Sequence, residues 1–199
     1  MNGIQERFLM RTGCFLAVGL SLLLLFRAEA FGAAATEKAL NTALTQVIDH
    51  VTEKKDKGEE KLEKLFAYCV KNFQYASVPA QFMAAYLKKS LPADWDRSYA
   101  LAMIQGKRGS CYHDAAAFAH LASKATGYPV VIALGKSTLY NPKGSFHAWV
   151  LIRLKGKWYI YDPNGDRIKG KGKGKYMRLS LTSALAKGTY QKEMLVTVK

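Results

Sequence analysis

Apolar positions recur at helical spacing in the first half of the chain and at strand spacing in the second. Leu40, Ala43, Leu44, Val47, Ile48 and Val51 lie three or four apart and predict a helix over 36–54. A charged turn, Lys54 to Glu60, centres on Gly58. Leu62, Leu65, Phe66, Cys69, Val70 and Phe73 then predict a helix from about Glu59 to Tyr75. Pro79 suits the first turn of a third helix, with Phe82, Met83, Tyr86 and Leu87 inside and Pro92 as the stop after Leu91. Asp94 is placed to cap a short helix from Trp95 to about Ile104, packed through Trp95, Tyr99, Leu101 and Ala102. Gly106 to Gly109 is a loop. Beyond it, Ala115, Ala116, Ala117, Phe118, Ala119, Leu121 and Ala122 read as a buried helix closed by Gly127 and Pro129.

After Gly127 the period changes to two. Tyr128 to Leu134 reads as an apolar strand and Gly135 to Gly144 as a polar loop. Residues 146–154 and 157–162 form a hairpin across Lys155-Gly156, and Asn164-Gly165 is a further turn. Lys169 to Lys175 alternates Lys with Gly and predicts a flexible, solvated basic loop. Tyr190 to Val198 is a last strand. Helices followed by antiparallel strands make an α+β fold.

The N-terminus has a different pattern. Arg7 and Arg11 precede a 13-residue apolar run, Cys14 to Phe26, and Ala28-Glu29-Ala30 offers a small-x-small cleavage site. The run is short of the about 20 residues that cross a membrane. Residues 1–30 are therefore expected to be a signal peptide, with a retained membrane anchor as the alternative. Residues 31–58 are then a linker with an N-terminal helix, and 59–199 the main domain. The expected location is secreted or on the cell envelope.

The 199 residues carry 30 Lys and Arg against 15 Asp and Glu, a net charge of +15. Arg7, Arg11 and Arg27 against Glu6 and Glu29 account for +1, which leaves +14 on the rest. Such an excess favours an anionic cell-wall or membrane surface; nucleic acid is not an expected partner of an exported chain. Cys69 lies in a helical apolar pattern and reads as a core residue. Cys111 is then expected to be a free, exposed thiol.

Cys111 follows Gly109-Ser110 where the Ala-rich helix begins. Unpaired N–H groups at a helix start favour an anion and can receive an oxyanion. His147 follows 36 residues on in Phe146-His147-Ala148-Trp149, and Asp162 a further 15 on in Trp158-Tyr159-Ile160-Tyr161-Asp162-Pro163. Cys, His and Asp in this order suggest a nucleophile, its base and the residue that orients the base. His113 and His120 lie seven apart on one helix, with no further Cys or His at metal-ligand spacing. No metal or cofactor is expected. Asp114 suits the helix dipole, and Trp149 and Trp158 read as core or cleft wall.

Taken as a set, Gly109-Ser110-Cys111, the small-residue helix to Gly127, the Val130 to Gly135 strand, His147-Ala148-Trp149-Val150 and Trp158…Asp162-Pro163 resemble the transglutaminase-like family, a branch of the papain-like cysteine enzymes, in its bacterial secreted form. The segment Val70 to Tyr75 is similar to what precedes that core. The resemblance covers about 59–165 and implies a catalytic Cys at a helix N-terminus packed on an antiparallel sheet. It implies Cys111 as nucleophile, His147 as base and Asp162 as orienter, acting on a protein or peptide amide through an acyl-thioester, by transfer to an amine or by hydrolysis. Gln105-Gly106…Gly109-Ser110-Cys111 is also similar to the papain group, which makes Gln105 a candidate oxyanion donor. No Asp/Glu cluster suits a calcium cage. A monomer is expected. The alternative reading is a non-catalytic domain of this fold that associates with the anionic envelope.

Overall fold

The computed structural model describes residues 34–198; the expected signal segment, 1–30, lies outside them. Helix α1 covers 34–51. Ala39–Lys199 form one unit, in which Leu40, Ala43, Leu44 and Val47 enter the same core as the helices and strands that follow. Among the described residues no helix is long and apolar enough to cross a membrane.

Helix α2 is Gly58–Asn72, with Leu62, Leu65, Phe66 and Cys69 buried. At its first residue, Gly58, a Cβ would lie 2.3 Å from the Tyr128 hydroxyl oxygen, so the Tyr128 ring packs there only against a glycine. It ends three residues before the expected Tyr75. Phe73 turns extended, and Gln74–Tyr75 form a short strand, β1. Helix α3 is Ala80–Leu87. It stops short of Leu91 because Lys89 adopts a left-handed φ of 54°, which ends a right-handed helix. Leu87, expected inside, is exposed at this helix end. Helix α4, Trp95–Gly106, buries Trp95, Ala100, Met103 and Ile104; Tyr99 and Leu101 are half-buried against the same core, and Ala102 is exposed. Asp94 occupies the cap position of α4, but its side chain makes no capping bond.

The link to the next helix contains a strand that the sequence reading treated as loop. Arg108–Gly109, β2, pairs in parallel with β1, Gln74 against Arg108 and Tyr75 against Gly109. Helix α5, Cys111–Thr126, follows at once and is buried along most of its length. Its Ala run lets the sheet approach closely from one side and α2 and α4 from the others.

The sheet has the order β6-β5-β4-β3-β7 and is antiparallel throughout. Its strands are β3 (Val130–Ser137), β4 (Ser145–Leu154), β5 (Lys157–Tyr161), β6 (Leu179–Ser180) and β7 (Tyr190–Thr197). Lys155 and Gly156 both have positive φ, 48° and 82°, as a tight hairpin turn requires. Ile132, Leu134, Ala148, Val150 and Ile152 face the helical core. Ala133, Trp149, Leu151 and Ile160 face a second, smaller apolar layer that includes Ala186 of helix α7, Ala184–Thr189. Both faces are covered, so β4 reads as a nearly continuous apolar run.

Strand β3 runs past the predicted end at Leu134. Gly135 pairs with His147 and sits at a register shift against β7. A Cβ at Gly135 would lie 2.1 Å from the Gln191 carbonyl oxygen. The glycine thus allows β7 to close in, and with it Tyr190.

The Gly-Lys segment, expected as a flexible solvated loop, keeps its lysines exposed but has its backbone bonded to Asp166. Asp166, 1% exposed, opens a π-helical turn over Asp166–Gly170. Its carboxylate accepts from the Gly174 and Tyr176 N–H groups at 3.0 Å each, and its carbonyl accepts from Gly172 N–H. One buried acceptor organises a stretch that has no apolar pattern of its own.

Candidate active site

Cys111 is the first residue of α5. Ser110 occupies the cap and, with His113, forms a capping box in which Ser110 accepts from the His113 N–H. A side chain at Gly109 would collide with His113, its Cβ 2.6 Å from that of His113. The Gly109-Ser110 pair therefore lets β2 run straight into the helix start. His113 stacks on Tyr99, ring centroids 3.9 Å apart, and burial lowers its pKa to about 4.

The Cys111 side chain is 3% exposed, in contrast to the exposed thiol expected. Tyr75, Tyr112 and Tyr140 lie close enough for a charge on Cys111 to act on them; burial first, then such charges, raise their pKa values. Tyr75 and Tyr140 are themselves exposed. Cys69 is fully buried and free, in the core position its helical spacing gives it.

His147 and Asp162 meet. His147 Nε2 lies 2.8 Å from Asp162 Oδ2, both residues at most 1% exposed. Burial opposes charge on the imidazole, but Asp162 and then Cys111 outweigh it and bring the His147 pKa up to about 10. With Nε2 engaged by Asp162, the ring nitrogen left for Cys111, whose interaction also raises the His147 pKa, is Nδ1; among the described residues it has no other partner. Three donors hold the Asp162 carboxylate. Oδ2 also accepts from the Tyr190 hydroxyl at 2.8 Å, and Oδ1 accepts from Gly165 N–H at 2.8 Å. The last bond caps α6, Pro163–Gly165. Trp149 and Tyr190 stack near the imidazole, centroids 6.2 and 6.4 Å away.

The structure thus brings together Cys111, His147 and Asp162. Gln105 is exposed in the last turn of α4 and makes no side-chain hydrogen bond among the described residues. Asp114 does more than face a helix dipole: it is buried, paired with Arg167, and accepts from Asn164 Nδ2 at 3.0 Å. Burial raises its pKa to about 6 against the pull of Arg167 and Asn164. His120 pairs with Asp96 at 2.9 Å inside the helical layer. Among the described residues no group of three His, Cys, Asp or Glu is placed to hold a metal. Tyr140, Asn164, Arg167 and Tyr190 were not singled out by the sequence. Asn164 read only as a turn residue and Tyr190 only as a strand start.

The profile of the transglutaminase-like superfamily matches residues 45–163, more than half of the chain and all three of these positions. The chain belongs to that superfamily. Two solved structures are similar to this transglutaminase-like chain. One is a TGase: 16% identity, TM-score 0.40, 66% of this chain and 32% of that one covered. The other is a candidate cysteine protease from Cytophaga hutchinsonii: 16% identity, TM-score 0.44, 82% of this chain and 50% of that one covered. The chain thus spans about a third and a half of their lengths. No curated protein sequence matches it.

Proposed function

We propose that the protein is a cysteine enzyme acting on a protein or peptide amide through an acyl-thioester, with Cys111 as nucleophile, His147 as acid and base and Asp162 as orienter. The observation that carries this reading is the buried His147 Nε2–Asp162 Oδ2 pair with Nδ1 left for Cys111 at a helix start. Asp162 stabilises the imidazolium and fixes its orientation. The Cys111 sulfur adds to the carbonyl carbon; the resulting oxyanion meets the Cys111 backbone N–H at the start of α5, with the Gln105 side chain as the proposed second donor. When the C–N bond breaks, His147 gives its proton to the leaving amine and the acyl group stays on sulfur. A second amine or water then attacks the thioester, His147 takes its proton, the C–S bond breaks and the Cys111 thiolate leaves beside the imidazolium, which restores the starting pair. Transfer and hydrolysis differ only in the group that attacks.

The test is the pH dependence of Cys111 alkylation by iodoacetamide in the wild type and in His147→Ala. Reaction well below pH 8.5, about the free-thiol value, and its loss in His147→Ala are the expected results. An ordinary thiol in both would sink the reading. Cys111→Ala is expected to abolish turnover of a peptide amide while the fold persists. The reading also takes the enzyme to be exported through residues 1–30, which N-terminal sequencing of the mature chain tests.

A further inference from the structure

Asn164 takes no part in the reaction as written, yet the three catalytic segments meet at its amide. It is 1% exposed. Its Nδ2 donates to Asp114 Oδ2 at 3.0 Å, and Asp114 lies in the first turn of α5, which Cys111 begins. Its Oδ1 accepts from the Tyr140 hydroxyl, and the Tyr140 ring meets His147 edge-on with centroids 5.5 Å apart. Its backbone lies two residues after Asp162, inside the turn that the Asp162 carboxylate caps. Arg167, three residues further, donates to the same Asp114 oxygen and, through its other terminal nitrogen, to the Cys69 carbonyl of α2 at 3.1 Å.

The chemistry of the two partners selects an amide. Asp114 needs a donor, and the Tyr140 hydroxyl needs an acceptor. An ionised carboxylate at 164 would face the Asp114 carboxylate, and an aliphatic side chain would satisfy neither partner. Leaving either buried group unmatched is costly, so the amide is held in one orientation.

We propose that Asn164 is a positioning residue, a strut that sets the mutual placement of Cys111, His147 and Asp162 by tying the first turn of α5 and the 138–144 loop to the segment that follows Asp162. This rests on the catalytic reading above. Asn164 touches no reacting atom in it. Its effect reaches Cys111 through Asp114 and His147 through the Tyr140 ring.

The experiment measures the second-order rate of iodoacetamide alkylation of Cys111 from pH 5 to 10, with thermal melts, for the wild type, Asn164→Ala, Asn164→Asp and Tyr140→Phe. Asn164→Ala is expected to cut the rate at pH 7 by about ten- to a hundredfold, the scale of a misplaced catalytic group. Asn164→Asp supplies a readout that a merely structural role would not move. In acid its protonated carboxyl can donate to Asp114 and accept from Tyr140, so its rate relative to the wild type should approach one. As pH rises and it ionises beside Asp114, with Asp162 and Arg167 as the other charges of the cluster, the ratio should fall toward that of Asn164→Ala. Tyr140→Phe removes only the hydroxyl, keeps the ring on His147 and should lose several-fold with an unchanged melt. A folded Asn164→Ala that alkylates at the wild-type rate overturns the proposal, as does a ratio for Asn164→Asp that does not change with pH. Should Asn164→Ala not fold, a wild-type rate in Tyr140→Phe overturns it. An ordinary thiol in the wild type overturns the catalytic reading itself and is seen before any variant is compared.

Discussion

The Tyr190 hydroxyl donates to the same Asp162 oxygen, Oδ2, that holds His147 Nε2, each at 2.8 Å. Tyr190 opens β7, Asp162 follows β5, and these strands lie on opposite sides of the β4–β3 pair in the sheet. The bond is possible because the sheet's far strand closes in at Gly135. It makes the orienting carboxylate a shared acceptor, less free to rotate than one that served His147 alone.

Tyr190→Phe keeps the ring against Trp149 and removes that donor. A hydrogen bond to a charged group is worth about 1.5 kcal/mol or more, so roughly a tenfold loss in kcat/KM is expected. Asp162 Oδ2 then accepts from His147 alone, so its hold on the His147 proton is no longer divided. The basic limb of the pH–rate profile should therefore move up. A profile that stays in place or moves down would count against the shared acceptor.

His147 is held at about 10 in the fold, burial opposing and Asp162 and Cys111 prevailing; an unperturbed His lies near 6.5. A raised folded pKa means that the folded state binds the proton more tightly. The associated stability is complete below about pH 6.5 and is lost as pH rises through about 10. The melting temperature of the wild type should fall across this window more than that of His147→Gln. Parallel melting curves from pH 7 to 10 would contradict the charged pair.

Asp114 is raised by burial to about 6 from the ordinary 3.8. The sign is the same as for His147 although the residue is acidic. The stability associated with its proton is complete below about pH 3.8 and is lost as pH rises through about 6. Asp114→Asn does not titrate, so the stability of the wild type relative to this variant should fall between pH 4 and 6.5, by at most about 3 kcal/mol. Denaturant melts at a series of pH values give the difference. A wild type that gains on the variant as pH rises would mean that the Arg167 pair dominates over burial.

Lys169, Lys171, Lys173 and Lys175 are exposed, in a segment whose backbone folds onto the Asp166 carboxylate. Trypsin requires a locally unfolded chain, so native protein should be cut slowly there. Asp166→Ala removes both acceptor contacts and should speed cleavage in 169–175 by tenfold or more at unchanged lysine content, about the 1–3 kcal/mol of two lost buried acceptors. Equal cleavage rates would restore the flexible loop that the sequence suggested.

That loop shows where sequence reading reached its limit. Gly-Lys alternation carries no apolar period, and the Asp166 carboxylate, upstream of the repeat, holds its backbone. The misplaced helix ends have similar causes. Val70 to Tyr75 continues a helical pattern, yet Gln74 and Tyr75 leave the helix to pair with Arg108 and Gly109, more than thirty residues away. Leu87 fits the period of α3 and is exposed because the left-handed Lys89 ends the helix beside it. The hairpin at Lys155-Gly156, the closure of α5 at Gly127 and the last strand were legible, since each depends on neighbours along the chain.

Local order determined the type of most elements, the α+β class, and the placing of Cys111 at a helix start, of His147 on a strand and of Asp162 just past the end of the next strand. These follow from periodicity and from Gly and Pro punctuation, which act over a few residues. Tertiary structure alone decided that Cys111 is covered, that Nε2 rather than Nδ1 meets Asp162, and that Tyr190, Asn164 and Arg167 bond the site from 28, 50 and 53 residues away from their partners. A hydroxyl, amide or guanidinium finds its partner by where the backbone carries it. Nothing in the spacing of apolar residues encodes which buried acceptor will be there.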